Sequence, residues 1–174
     1  ATGASTDLHW LETDGVDDST ASATGGGGTG GFFFSQPVVV TGGTTRTLWS
    51  DAGTNTGYRV RINSANKLEL SAGNGSAFTV IATAEALSLN KGHLVTAWDD
   101  GVNLNVQLDG GAIASIARPV VVAGTAGFTM GKNNTAESDY FAGIAYNGIY
   151  RKDLAPTDVE RSAVQKYLKS KAGL

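Results

Sequence analysis

The sequence predicts an all-β domain that ends in a single C-terminal helix, and three observations lead to that prediction. Apolar and polar residues alternate with a period of two along most of the chain up to about residue 150, as in half-buried strands. Glycine accounts for 24 of 174 residues, about twice its usual share of roughly 7%, and many glycines fall at turns between the alternating runs. Helical spacing begins only near residue 156.

Composition limits the classes of function. The chain has 13 Lys and Arg against 16 Asp and Glu, without a long run of either sign, which argues against nucleic acid as a partner. No apolar stretch approaches the roughly 18 residues of a membrane span, and the N-terminus shows no signal-peptide pattern. The absence of cysteine excludes disulfides and thiolate metal sites and leaves the redox compartment open. The length suits one domain covering residues 1–174.

The N-terminal third contains a glycine-rich run at Gly25–Gly31. Too few residues precede it to fold alone, so we interpret it as a long loop within the domain and not as a linker. Directly after it, Phe32–Phe34 predicts a strand that is buried on both faces.

The central segments predict antiparallel strands. Tyr58–Ile62 places apolar side chains on one face and two arginines on the other. Val102–Leu108 alternates in the same way and lies between Asp99–Gly101 and Asp109–Gly111, whose Asp-Gly pairs favour tight hairpin turns. Short strands separated by such turns are typical of a sandwich or barrel.

The last segment predicts a helix over about residues 156–170, with Gly173 placed to end it. Ala155 stands at the expected N-cap position, where Ser or Thr is usual, and the alternative is that Thr157 and Glu160 form a capping box instead. Acidic side chains lie in its first turn and lysines near its last, which complements the helix dipole. Its apolar residues form one stripe that we expect to face the core, made of Val159, Ala163, Val164, Tyr167 and Leu168.

In chain order, these motifs resemble the laminin-G-like, concanavalin A-like lectin/glucanase superfamily. The resemblance covers nearly the whole chain and implies a jelly-roll β-sandwich of two antiparallel sheets with one C-terminal helix. The C-terminal segment is similar to the ending common in versions encoded by bacteriophages and bacteria. The matching segments are Leu11–Asp18, His93–Gly111, Phe128–Lys132, Tyr140–Tyr150, Leu154–Glu160 and Val164–Leu174.

Some members of that superfamily hydrolyse glycosides with a Glu-x-Asp-x-x-Glu pattern. Glu12–Asp17 comes close to it, but the last acid is aspartate and Gly15 interrupts the strand. His9 and His93 have no neighbouring serine or acid pattern for nucleophilic catalysis, and we expect His93 to be structural. The prediction is therefore a protein that is not an enzyme.

Two kinds of ligand are consistent with the turn residues. Calcium is a candidate cofactor, although none is predicted firmly, because aspartate side chains supply hard oxygen ligands at Asp14, Asp17, Asp18, Asp99 and Asp100. A glycan is the second, because aromatic faces stack on sugar rings and Asp or Asn bind hydroxyls. The alternative is that the aromatic residues belong to the core and the polar ones only make turns. The candidate glycan or partner contacts are Trp49, Asp51, Asn55, Tyr58, Asn133 and Asn134.

Two functional hypotheses follow. The first is a non-enzymatic structural or decoration protein on a bacteriophage capsid or tail surface, which contacts other virion proteins and forms a homo-oligomer or an array on the particle. The second is an extracellular carbohydrate-binding adhesin module that recognises a cell-surface glycan. Neither hypothesis involves nucleic acid or a membrane.

Overall fold

The structure is a computed structural model that describes residues 10–14, 20–22, 31–42, 44–125, 128–131, 141–152 and 156–174. Its described part contains short strands and one C-terminal helix. The strands are β1 (Trp10–Asp14), β2 (Thr20–Ser22), β3 (Phe32–Val40), β4 (Arg46–Ser50), β5 (Thr56–Ile62), β6 (Leu68–Asn74), β7 (Phe78–Ala82), β8 (Gly92–Asp99), β9 (Asn103–Leu108), β10 (Ile113–Ala117), β11 (Phe128–Met130), β12 (Ala142–Tyr146) and β13 (Ile149–Lys152), and the helix is α1 (Asp158–Ala172).

The strands form two sheets. The seven-stranded sheet has the order β1-β12-β3-β8-β9-β10, with β13 also paired to β3, and the six-stranded sheet has the order β2-β11-β4-β5-β6-β7. Every strand pair among the described residues is antiparallel. The predicted fold class, two antiparallel sheets and a C-terminal helix, is confirmed.

The core lies between the two sheets and is centred on aromatic rings. Phe32 of the seven-stranded sheet makes an edge contact with Trp49 of the six-stranded sheet, with ring centroids 5.0 Å apart. It contacts Tyr58 at 4.8 Å in a second edge arrangement. Such edge-to-face pairs favour one relative placement of the rings in addition to burying apolar area, so this cluster sets how the two sheets face each other.

The prediction for Phe32–Phe34 is confirmed, because all three side chains are buried. Phe32 and Phe34 belong to the core between the sheets. Phe33 points to the opposite face of β3 because neighbouring residues of a strand alternate. The outer face of the seven-stranded sheet is therefore also covered, and α1 packs there against β3 and β8.

The turns show why the sequence is rich in glycine. Gly101 and Gly110 have φ values of +86° and +74° in the two predicted hairpins, which are confirmed. Gly31, with φ of +101°, approaches the chain so closely that an added Cβ would lie 2.6 Å from the Asp99 carbonyl oxygen. The remainder of the predicted loop 25–31 lies outside the described residues.

The ends of α1 follow the sequence signals. Thr157 accepts a hydrogen bond from the Glu160 backbone N–H, and its own N–H donates to the Glu160 carboxylate. The N-cap is therefore Thr157 with its capping box, and not Ala155. Gly173 ends the helix in the left-handed conformation. Within the described residues, no helix has the length and apolar character needed to span a membrane.

The predicted buried face of α1 needs correction. The helix buries Arg161, Gln165 and Leu168, whereas Val159 and Tyr167 from the predicted stripe are exposed. The reason is that the outer face of the seven-stranded sheet carries polar groups. Arg161 and Gln165 find partners on that face, and Leu168 of the predicted stripe is buried as expected.

Gln165 provides the most specific of these contacts. Its Nε2 donates to Thr96 Oγ1 at 3.1 Å and to Gln107 Oε1 at 2.8 Å. Thr96 Oγ1 is in turn 3.0 Å from Ser35 Oγ. The Arg161 guanidinium carbon lies over the Trp98 indole, 4.6 Å from the ring centroid. A buried polar network therefore fixes the position of the helix.

We expect Gln165→Ala to lower the free energy of unfolding by about 1–3 kcal/mol, because it leaves the buried Gln107 acceptor without its donor. Urea denaturation measures this difference. Ser162→Ala, at an exposed position of the same helix, serves as the control and should change stability by less than about 0.5 kcal/mol. Equal effects of the two substitutions would contradict a network that fixes the helix.

Candidate functional site

The loops at one end of the sandwich bring together several residues predicted from separate motifs. We call this end the loop rim and define it by residues 51–57, 99–103 and 118–125. Two backbone bonds tie its three segments together, from Gly57 N–H to the Val122 carbonyl and from Arg118 N–H to the Val102 carbonyl. The candidate glycan residues of the first loop and the candidate calcium residues of the second are therefore neighbours in space.

Trp49 and Tyr58 lie in the aromatic core and are buried. Their rings present no surface to a sugar in this structure. They therefore fit the alternative interpretation, in which these aromatic residues belong to the core. Asp51 is also buried, and its Oδ1 accepts the Tyr58 backbone N–H at 2.6 Å. The structure thus places these three candidate contacts inside the domain.

Asn55 reaches the surface of the loop rim. It is half-buried, has a φ of +56°, and its Nδ2 donates to the Ser76 carbonyl at 2.8 Å. Its backbone packs against Gly73 so closely that a Cβ on Gly73 would clash with the Asn55 carbonyl oxygen. Asn133 and Asn134 lie outside the described residues.

A buried carboxylate joins the two sheets beneath the loop rim. Asp99 Oδ2 accepts the Tyr58 hydroxyl at 2.5 Å and Arg118 Nε at 2.6 Å, while Oδ1 accepts the Gly101 N–H at 2.8 Å. Burial of Tyr58, together with its bond to Asp99, raises the pKa of the phenol above its ordinary value. This arrangement is structural because the carboxylate oxygens face inward and are occupied.

Asp99 and Asp100, two of the aspartates considered for calcium, accept hydrogen bonds from groups of the chain. Asp100 accepts the N–H groups of Val102 and Asn103 on Oδ1 and the Asn105 amide on Oδ2. Partial burial acts to raise the pKa of Asp100, but these donors outweigh it and the pKa is lowered. Among the described residues, no three His, Asp or Glu side chains come together as metal ligands. Asp17 and Asp18 lie outside those residues, and the side chain of Asp14 is not described.

His93 is held by backbone and carboxylate groups. Its Nε2 accepts the Ser88 backbone N–H at 3.0 Å, and its Nδ1 lies 2.7 Å from Asp109 Oδ2. The Ser88 atoms near the ring belong to the main chain. The expected structural role fits this geometry, which joins the β8 start to the turn after β9.

The outer face of the six-stranded sheet carries polar and aromatic groups, of which Arg59, Arg61 and Phe78 are partly exposed and Glu69 and Ser71 are buried. Because Tyr58, Val60 and Ile62 point into the core, the intervening Arg59 and Arg61 point outward. Strand register places side chains of β6 and β7 next to them. We call this surface the arginine face, made of Arg59, Arg61, Glu69, Ser71 and Phe78.

The side chains of the arginine face hold one another in place. The Arg59 guanidinium carbon lies 3.8 Å from the Phe78 ring centroid. Arg61 Nε donates to Glu69 Oε1 at 2.5 Å, and Ser71 Oγ donates weakly to the same oxygen at 3.4 Å. Phe78 pairs with Gly73 across the strands, beneath the Asn55 backbone, so the arginine face borders the loop rim. It offers a partly exposed aromatic group and guanidinium donors to a ligand, whereas the Glu69 carboxylate is buried and bonded to Arg61.

Sequence reasoning found only part of this face. The alternation in Tyr58–Ile62 already placed two arginines away from the core. Glu69 and Phe78 come from later strands, and only the register of β5, β6 and β7 reveals that they are neighbours.

The two antiparallel sheets and the C-terminal helix form a β-sandwich with the concanavalin A-like, laminin-G-like jelly-roll fold. No family model and no curated protein matches the sequence. Solved structures with this fold do match the chain. Domains LG4-5 of the mouse laminin alpha1 chain superpose with a TM-score of 0.65 at 15% identity, over 83% of this chain and 40% of that one.

Two further structures show the same similarity of fold. The heptameric SAP-like pentraxin of Limulus polyphemus has a TM-score of 0.59 at 15% identity, over 80% of this chain and 70% of that one. The sialidase CBM40 of Ruminococcus gnavus, bound to alpha2,3 sialyllactose, has a TM-score of 0.61 at 12% identity, over 79% and 82%.

The buried Tyr58 predicts a pH dependence of stability. The pKa of the Tyr58 phenol is raised in the folded state, so the stability that this shift contributes is fully present below the ordinary pKa of 10.0. That contribution is lost as the pH rises from 10.0 towards the higher pKa of the folded state. We therefore expect a decline in the free energy of unfolding above about pH 10 that is shallower in Tyr58→Phe. Denaturant titrations across alkaline pH measure it, with Tyr167→Phe at an exposed site as the control. Identical slopes in wild type and Tyr58→Phe would contradict the assignment.

Proposed function

We propose that this domain is a non-catalytic carbohydrate-binding module that works outside the cell and binds a glycan on the arginine face. The observation that carries the proposal is the combination of the partly exposed Phe78 ring with the ordered guanidinium donors of Arg59 and Arg61 on one sheet face. Sugar rings pack on aromatic groups, and guanidinium groups donate hydrogen bonds to sugar oxygens. The named ligand of the Ruminococcus gnavus module, alpha2,3 sialyllactose, supports a glycan as the ligand class.

The charge of the arginine face favours an acidic glycan. Arg59 and Arg61 bring two positive charges and Glu69 one negative charge, so the face carries a net positive charge. Guanidinium groups bind carboxylates and sulfates through paired N–H donors. The half-buried Asn55 at the border of the arginine face is a further proposed glycan contact. Asn133 and Asn134 are also proposed as glycan contacts.

We expect Phe78→Ala and Arg61→Ala each to weaken glycan binding at least tenfold, equivalent to about 1.4 kcal/mol. The measurement is an array of sialylated, sulfated and neutral glycans, followed by titration of the best ligand. Leu89→Ala, which removes an exposed apolar side chain elsewhere, is the matched control. Binding that survives both substitutions would exclude the arginine face, and a preference for neutral glycans would exclude the acidic class.

Trp49→Ala is a poor probe of the same question. Trp49 fills the core, and its truncation is expected to cost about 3–5 kcal/mol through the cavity it leaves. Loss of binding in that variant would report unfolding, so surface substitutions on the arginine face are needed.

As a second candidate we propose the virion role, in which the domain decorates a bacteriophage capsid or tail surface. The resemblance of the C-terminal segment supports it. So do two neighbouring edge strands, β7 and β10, which contain no charged residue and expose Val80 and Ile113. Uncharged edges of this kind can accept a strand or an apolar surface of another protein.

Co-sedimentation separates the two roles. Purified domain that pellets only with assembled phage particles, and binds no array glycan, would favour decoration. Glycan binding that is abolished by Phe78→Ala, with no binding to particles, would favour the carbohydrate-binding module.

A further inference from the structure

Helix α1 carries an apolar ridge on the side that faces away from the sheet. Val159 is 80% exposed and Tyr167 is 56% exposed, and Ala163 between them is exposed as well. The three residues are four apart and therefore line up along the helix. We call them the α1 ridge.

The ridge is unusual because this helix reverses the common arrangement. Surface helices normally bury their apolar stripe and expose their polar side chains. Here Arg161 and Gln165 are buried together with Leu168, and the apolar ridge contacts solvent. Apolar residues that recur on one exposed face are a feature of surfaces that bind other proteins.

The charges beside the ridge are arranged with opposite signs at its two ends. Glu160 lies in the first turn and Lys171 in the last, whereas Asp158 pairs with Arg161 and Lys169 donates to the Asp109 carbonyl on the sheet side. Lys166 is exposed and makes no ion pair within the part of the chain that the structure describes. A second copy of the helix, running antiparallel, would bring each acidic end against a basic end.

We propose that α1 is a dimerisation surface on which a second copy of this chain docks, antiparallel and about a two-fold axis at Ala163. The register follows from the spacing, because Ala163 is the midpoint between Val159 and Tyr167. Val159 then packs against Tyr167 of the partner subunit. By the same symmetry, Glu160 faces Lys166 of the partner subunit, and the small Ala163 meets its own copy.

The geometry of helix packing agrees with this register. Ridges of residues four apart interlock at a crossing angle of about −50°, with axes about 8–10 Å apart. An alanine at the crossing point allows the closer end of that range. The interface is one helix face, less than the roughly 800 Å² per partner of a standard stable complex, so we expect a weak dimer whose population rises with concentration.

Sedimentation velocity over a wide range of protein concentration, without glycan, tests the dimer. We expect a rise in the weight-average sedimentation coefficient for wild type. Ala163→Arg, which sets two like charges against each other at the axis, should abolish the rise. Ser64→Arg, in an exposed turn between β5 and β6, is the control and should behave as wild type. A wild type that stays monomeric, or an Ala163→Arg variant that still dimerises, would overturn the proposal.

Disulfide cross-linking tests the register. Because the sequence contains no cysteine, any disulfide must form between introduced cysteines. With helix axes at the close limit, the two Ala163 Cα atoms fall near the about 4.4–6.8 Å range of disulfides. Under mild oxidation, Ala163→Cys should form disulfide-linked dimers at least tenfold faster than Ser64→Cys.

A mixture of two variants fixes the orientation. Val159→Cys mixed with Tyr167→Cys should cross-link faster than either variant alone, because the antiparallel register pairs these positions. Faster linkage of each variant with itself would indicate parallel helices and contradict the register. Since these experiments contain no glycan, their outcome is independent of the function proposed for the arginine face.

Discussion

The carboxylate of Asp99 connects three separate parts of this molecule. It belongs to the seven-stranded sheet, yet it binds Tyr58 of the six-stranded sheet, Arg118 and the turn at Gly101. A buried carboxylate is costly unless its oxygens are fully bonded, so each of these contacts depends on the others. The end of the loop at Gly31 packs on the Asp99 carbonyl, and the loop rim, the sheet spacing and the strand turns therefore share one constraint.

Sequence reasoning predicted the features that depend on local patterns. The hairpins around β9, the capping box at Thr157 and the doubly buried Phe32–Phe34 strand all follow from residues close together in the chain. The buried face of α1 could not be predicted in that way. A helix with both a polar and an apolar side buries whichever side matches its neighbour, and the matching groups at Thr96 and Gln107 are about 60–70 residues away in sequence.

The candidate site also contains some features that local sequence predicts and others that depend on distant contacts. Trp49 and Asp51 stand in a loop-like sequence, but strand register draws both into the interior. The outward arginines were visible in the alternation of β5, whereas Glu69 and Phe78 are neighbours only through the pairing of three strands. Composition identified the right residue types for a polar surface. Tertiary structure decided which of them are accessible.

Position in the fold links the two proposals. The helix covers the outer face of the seven-stranded sheet, and the arginine face is the outer face of the other sheet, so the two surfaces lie on opposite sides of the sandwich. A dimer formed through α1 leaves both arginine faces uncovered and directed away from the contact. Two binding sites contribute together only if both can reach a glycan at the same time. Because the two arginine faces point in different directions, such a dimer is better suited to bind glycans on two separate surfaces than two glycans on the same surface. Weak self-association then gives a concentration-dependent bridge between surfaces, in which neither the helix nor the sheet has to change conformation.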